Sequence, residues 1–140
     1  MKDKKSILKK INSQTTNTML DALGIEITDL GQDYVHGKMP VDKRTQQPFG
    51  VLHGGASVAL AETLGSIGGG LQVNQETHGV VGIEINASHL NPIRRGWVYG
   101  KANAIRVGKN VQVWEIKITD RNDKIICRSR LTLAVIIKKK

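Results

Sequence analysis

Apolar residues recur at helical spacing near the start of the chain: Ile7, Leu8 and Ile11, then Met19, Leu20 and Leu23. That period predicts one or two short helices over residues 6–23, with Gly24 as the C-cap. Residues 25–29 and 34–41 then read as two strands of a hairpin across Gly31-Gln32-Asp33. Pro40 and Pro48 bracket a polar loop, residues 42–47. The strongly helical stretch is 55–71. Four strand-like runs follow. In 79–87, Val81, Ile83, Ile85 and Ala87 alternate with Gly82, Glu84 and Asn86; 97–107 is long and mixed. In 111–119, Trp114, Ile116 and Ile118 alternate with Glu115, Lys117 and Thr119. In 125–137, Cys127, Ser129, Leu131, Leu133 and Val135 oppose Arg128, Arg130 and Thr132. Turn signals at 92–96, 108–110 and 120–124 separate them, so the late strands should pair antiparallel. One long helix in an otherwise stranded chain points to an α+β domain over residues 1–140, a curved antiparallel sheet wrapped around that helix.

The helix has a conspicuous member. Residues 56–71 read Ala-Ser-Val-Ala-Leu-Ala-Glu-Thr-Leu-Gly-Ser-Ile-Gly-Gly-Gly-Leu. Small or apolar residues lie on every side, the pattern of a buried helix. Glu62 is its one charge, and Val58, Ala59, Gly65 and Ser66, its helical neighbours, cannot neutralise it. A buried, unpaired carboxylate is costly. Glu62 therefore either faces solvent through a gap in the packing or sits at a cleft as a base or nucleophile.

Composition narrows the classes. The chain of 140 residues is 39% hydrophobic and 24% charged, the balance of about one globular domain. Cys127 is the only cysteine, so no internal disulfide forms, and no metal-ligand spacing joins His36, His53, His78 and His89. No cofactor motif is present. Neither a signal peptide nor a membrane span is visible, which makes the cytoplasm the expected compartment. The net charge of +9 attracts anions. Much of it sits in the lysine-rich ends: Lys2, Lys4, Lys5, Lys9 and Lys10, and the basic tail 138–140. Five aromatics are few for stacking on bases, and nucleic acid is not expected as a partner.

The helix entrance reads His53-Gly54-Gly55-Ala56-Ser57. Unpaired N–H groups there carry partial positive charge, and glycines let a ligand oxygen come close. No phosphate-loop or dinucleotide fingerprint is present, and no G-x-S-x-G elbow. An oxyanion or carbonyl site fits better. Glu62 lies about 10 Å along the axis from Gly55 on a similar face, so a site shared between two chains would bring both groups to one substrate.

These residues carry a specific resemblance. Gln47-Pro48-Phe49-Gly50, His53-Gly54-Gly55-Ala56-Ser57, Ala61-Glu62-Thr63-Leu64-Gly65-Ser66, and Gly82-Ile83-Glu84-Ile85-Asn86-Ala87-Ser88-His89 resemble the hotdog-fold acyl-CoA thioesterases. The nearest branch holds the Arthrobacter-type 4-hydroxybenzoyl-CoA thioesterase, the phenylacetate-pathway thioesterases and the 1,4-dihydroxy-2-naphthoyl-CoA hydrolases. The resemblance implies a hotdog fold and Glu62 as catalytic carboxylate, nucleophile or base for water. It implies that the Gly55 N–H polarises the thioester carbonyl and that Gln47 helps bind the acyl group. His53 would lie near the thioester, and Ser66 would help place water or the carboxylate. It also implies a site built by two facing subunits, in a dimer or a dimer of dimers (a homotetramer). Coenzyme A would run over Gly82, His89, Leu90, Asn91 and Pro92, and over Arg106, Val107, Gly108, Lys109, Asn110 and Val111.

Arg94, Arg95, Arg106 and Lys109 lie in or beside predicted turns, where basic side chains reach phosphate. The expected activity is hydrolysis of a small aromatic acyl-CoA, without a cofactor. The alternatives are a hotdog hydroxyacyl-thioester dehydratase and a non-catalytic acyl-CoA-binding module.

Overall fold

The computed structural model describes residues 3–139; Lys2 and Lys140 of the lysine-rich ends lie outside them. The elements are α1 (Lys4–Ser13), α2 (Met19–Leu23), β1 (Glu26–Leu30), β2 (Tyr34–Val41), α3 (Gly54–Gly70), β3 (His78–His89), β4 (Gly96–Val107), β5 (Val111–Thr119) and β6 (Ile125–Ile137). The six strands form one antiparallel sheet in the order β1-β2-β4-β5-β6-β3. The α+β reading holds. α2 ends as expected at Gly24, whose φ of 72° is the left-handed cap a glycine adopts without strain.

α3 packs across one face of the sheet, against β2, β3, β4, β5 and β6. Leu60, Ala61 and Leu64 point into the core, meeting Val98, Trp114, Ile116, Leu131 and Leu133 in one cluster. Two glycines set the close approach. A Cβ at Gly65 would stand 2.6 Å from Leu131 Cδ2, and one at Gly68 would stand 2.6 Å from the Trp114 ring. A buried polar chain anchors the far end: Trp114 Nε1 donates to Gln112 Oε1 at 2.9 Å, and Gln112 Nε2 donates to Gly69 O at 3.2 Å. Cys127 is fully buried on the inward face of β6, as its parity predicts.

Two expectations change. The helix is not buried all round. One face packs on the sheet, while Val58, Ala59, Glu62, Thr63, Ser66 and Ile67 are only partly covered. Small residues occupy both faces, and the sequence pattern does not separate a covered face from an open one. The alternation along β3 also breaks. Its register shifts between Gly82 and Glu84, so Ile83 is the extra residue of a bulge. Ile85 and Ala87 pack on the core, whereas Val81 and Ile83 turn outward, 44% and 60% exposed. β3 is also an edge strand, paired on one side only with β6. Among the described residues no helix is long and apolar enough to cross a membrane.

Candidate active site

The open face of α3 is a stripe at i, i+3 and i+4 spacing: Gly55, Val58, Ala59, Glu62, Thr63, Ser66 and Ile67. With Met19 and Leu20 of α2, and Ile25, it lines a cavity of about 550 Å³. The wall is almost entirely apolar, and among the described residues Glu62 is its only ionisable group. Among the described residues no cation pairs with that carboxylate. The Glu62 side chain extends toward β3. A Cβ at Gly82 would meet Oε2 at 2.6 Å, so the missing side chain at Gly82 is the space the carboxylate occupies. Gly55, Glu62 and Ser66, three of the five residues expected at the chemical centre, thus share one cavity.

The helix entrance is built differently. His53 is the N-cap, and its Nδ1 accepts the Gly55 N–H at 2.8 Å. Its own N–H donates to Thr45 O at 2.8 Å, which ties the entrance to the preceding loop. The expected carbonyl-polarising donor at Gly55 is therefore engaged by the His53 ring. Among the described residues the Gly54 N–H, first in the helix, meets no acceptor. His89, at the end of β3, packs over it: its Nε2 would lie 2.8 Å from a Cβ at Gly54. There Gly54, Ser57, His89, Leu90, Asn91 and Pro92 border a second cavity of about 330 Å³. Asn91 Nδ2 donates to Ile125 O at 2.8 Å and Leu90 N to Ile126 O at 2.8 Å, so this turn is pinned to β6. Arg94 joins the same end, its carbonyl accepting from Gln46 Nε2 at 2.6 Å. The Gln47 side-chain oxygen accepts the Phe49 N–H. Neither Gln47 nor His53 lines the Glu62 cavity.

The second group expected along coenzyme A lies elsewhere. Gly82, Leu133, Gln112 and Val107 form one row across β3, β6, β5 and β4, and the turn of Gly108, Lys109 and Asn110 follows that row. His89 is seven residues along β3 from Gly82, about 23 Å of strand. Arg106 to Val111 and His89 to Arg94 therefore sit at opposite ends of the sheet. Within one chain the length of the strand separates the two groups. Sequence spacing alone does not mark Met19 and Leu20 as site residues. They read as core positions of an amphipathic helix, yet Met19 is 62% exposed at the cavity rim.

The Thioesterase superfamily model matches residues 49–127, more than half of the chain and the whole span from the helix entrance to the start of β6. The chain belongs to the Thioesterase superfamily. A solved thioesterase from Haemophilus influenzae is 52% identical, with a TM-score of 0.89 over 93% of this chain and 90% of that one. The proofreading thioesterase EntH of Cronobacter turicensis is 48% identical over 91% of this chain and 93% of its own length. The 1,4-dihydroxy-2-naphthoyl-CoA hydrolase of Escherichia coli is 44% identical over 95% and 97%. The architecture of this superfamily member is the hotdog fold, α3 being the filling and the curved sheet the bun. It is an enzyme, a thioesterase.

Proposed function

We propose that this thioesterase hydrolyses a small aromatic acyl-CoA to the free acid and coenzyme A, using Glu62. The observation that carries the reading is an unpaired carboxylate in an otherwise apolar cavity of about 550 Å³. That volume lies in the usual range for small-ligand sites, and a flat apolar acyl group suits such walls. The aromatic assignment draws support from the Escherichia coli relative, whose name specifies a naphthoyl-CoA.

Two routes use the same carboxylate. In one, Glu62 attacks the carbonyl carbon, the C–S bond breaks, and coenzyme A leaves as a thiolate that takes up a proton. Water then hydrolyses the resulting anhydride. In the other, Glu62 takes a proton from water as the water attacks. Either way negative charge grows on the carbonyl oxygen, and N–H groups at the start of α3 stabilise it. Gly54 offers such a group with no competing acceptor, while Gly55 offers one only if the oxygen displaces the His53 ring. Ser66, one turn after Glu62, helps to place water or the carboxylate.

The working unit is a homo-oligomer, a dimer or a dimer of dimers, in the cytoplasm. Pairing along the free edge of β3 would cover Val81 and Ile83 and bring a second chain's helix entrance toward Glu62. It would also let coenzyme A contact Arg94 at one end of one sheet and Arg106, Gly108 and Lys109 on another.

A panel of aromatic and aliphatic acyl-CoAs, read by free-thiol release, tests the proposal. Turnover with the highest kcat/KM on aromatic esters is expected. Coenzyme A and acyl-CoA binding without thiol release would overturn it.

A further inference from the structure

The two lysine-rich ends of the chain meet. Lys10, in the last turn of α1, and Lys138, just beyond β6, line one groove of about 500 Å³, and the neutral Gln14 and Gln75 join His78 at the start of β3 on its polar rim. The floor is apolar, formed by Ile11 of α1 with Ile67 and Leu71 at the end of α3. Among the described residues no carboxylate lines this groove. Among the described residues neither lysine forms an ion pair. Lys138 is held in place by a neutral group, its Nζ donating to Gln75 O at 2.6 Å, while its backbone N–H donates to Thr77 O at 2.9 Å. Thr77 Oγ1 lies 2.7 Å from His78 Nδ1, which leaves Nε2 as the free polar atom of that ring.

Uncompensated cations above an apolar floor match one ligand chemistry: an anionic head on an apolar body. The volume suits a small ligand. The groove also shares Ile67 with the cavity around Glu62, so the two are neighbours along α3.

We propose that this groove binds a carboxylate-ended apolar chain, its body on Ile11, Ile67 and Leu71 and its carboxylate between Lys10 and Lys138. Charge-assisted hydrogen bonds from the two ammonium groups select a carboxylate over a neutral hydroxyl. The chain could come from a free fatty acid or from the far end of the acyl group being hydrolysed; the second source rests on the function proposed above.

Binding of decanoate and of decanol to the full chain, measured by calorimetry, tests the site without reference to catalysis. Decanoate should bind about tenfold or more tightly than decanol, because hydrogen bonds between ionised partners are roughly twice as strong as neutral ones. In the double variant Lys10→Gln, Lys138→Gln that preference should fall to near unity. Both lysines are exposed, so the variant should fold. Equal binding of the two probes, no binding of either, or a preference that survives the double substitution would overturn the proposal. The last result, with a lowered Tm, would show that the lysines serve only to hold the two chain ends in place. Decanoyl-CoA and its ω-carboxylated counterpart separate the sources. A higher kcat/KM for the ω-carboxylated ester, lost in the double variant, identifies the substrate tail. Equal rates alongside selective decanoate binding identify a free acid. Failure to hydrolyse either ester, alongside selective decanoate binding, likewise identifies a free acid; the aromatic panel tests the proposed function separately.

Discussion

Glu62 of α3 and Gly82 of β3 are fitted to each other: the space that any side chain at 82 would fill holds Oε2 of the glutamate, 2.6 Å from where a Cβ would be. The contact links the carboxylate to the edge strand and fixes where it can reach. Gly82→Ala should therefore push the carboxylate aside without disturbing the core, because residue 82 is exposed. A displacement of about 1 Å at a reacting group costs on the order of 10²-fold in rate. The expected result is a large fall in kcat with little change in Tm, read by thiol release and thermal melting. Normal kcat would show that Glu62 has room to spare.

Glu62→Gln keeps the shape and removes the base and nucleophile. Loss of a general base lowers the rate by about 10²- to 10⁴-fold. Because Glu62 is partly exposed at the cavity, the fold should neither gain nor lose much stability. Acyl-CoA binding should persist. Wild-type turnover by this variant would remove Glu62 from the mechanism.

His53 should matter for stability through a single bond. Its Nδ1 accepts the Gly55 N–H at 2.8 Å and caps α3. Replacing a capping side chain by Ala costs about 1 kcal/mol, which lowers Tm by a few degrees. His53→Asn restores an acceptor and should recover most of that loss. If Ala and Asn melt alike, the imidazole is not acting as the cap.

Cys127 provides a pH test. Burial pushes its thiol above the ordinary value of 9.0, so the folded state keeps a proton that the unfolded chain gives up. This contribution is complete below about pH 9 and is lost as pH rises further, since the folded state then binds more protons than the unfolded one. Tm should fall with rising pH above that point, and the fall should be shallower in Cys127→Ala. That variant should lose some stability through a small cavity and keep its kcat. An inactive Cys127→Ala with an intact fold would reopen thiol chemistry.

The oligomer can be tested at Ile83. An exposed isoleucine on a free strand edge is an adhesive surface, and a lysine there blocks edge pairing. Sedimentation of the wild type should show a dimer or tetramer. Ile83→Lys should shift it toward monomer and lower kcat with it. A fully active monomer would place the whole site within one chain.

Much of this was legible in the order of residues. β5 and β6 alternate over most of their length, and Trp114, Ile116, Ile118, Cys127, Leu131 and Leu133 are buried as that alternation requires. Gly24 ended α2 because a left-handed cap suits glycine. Glu62 stood out because a charge is costly among so many small and apolar neighbours. β3 was harder. A bulge adds one residue without leaving any mark in the period, and it put Val81 and Ile83 on the outer face while Ile85 and Ala87 pack on the core, where the alternation had set all four on one side.

The sequence by itself determined the elements, their order, the core of the last strands, the family and the one anomalous carboxylate. All of these depend on local period, on turn chemistry or on a motif carried within a short stretch. Tertiary structure decided which face of α3 stays open, because a helix of small residues offers its sheet no unique side. It decided that Gly82 makes room for Glu62, that the His53 ring holds the Gly55 N–H, and that Lys10 and Lys138 share a groove. It also divided the residues expected along coenzyme A between two ends of the sheet. Each of these is a distance between side chains on different elements. Such distances are set by how the sheet curves around the helix, which no spacing along the chain encodes.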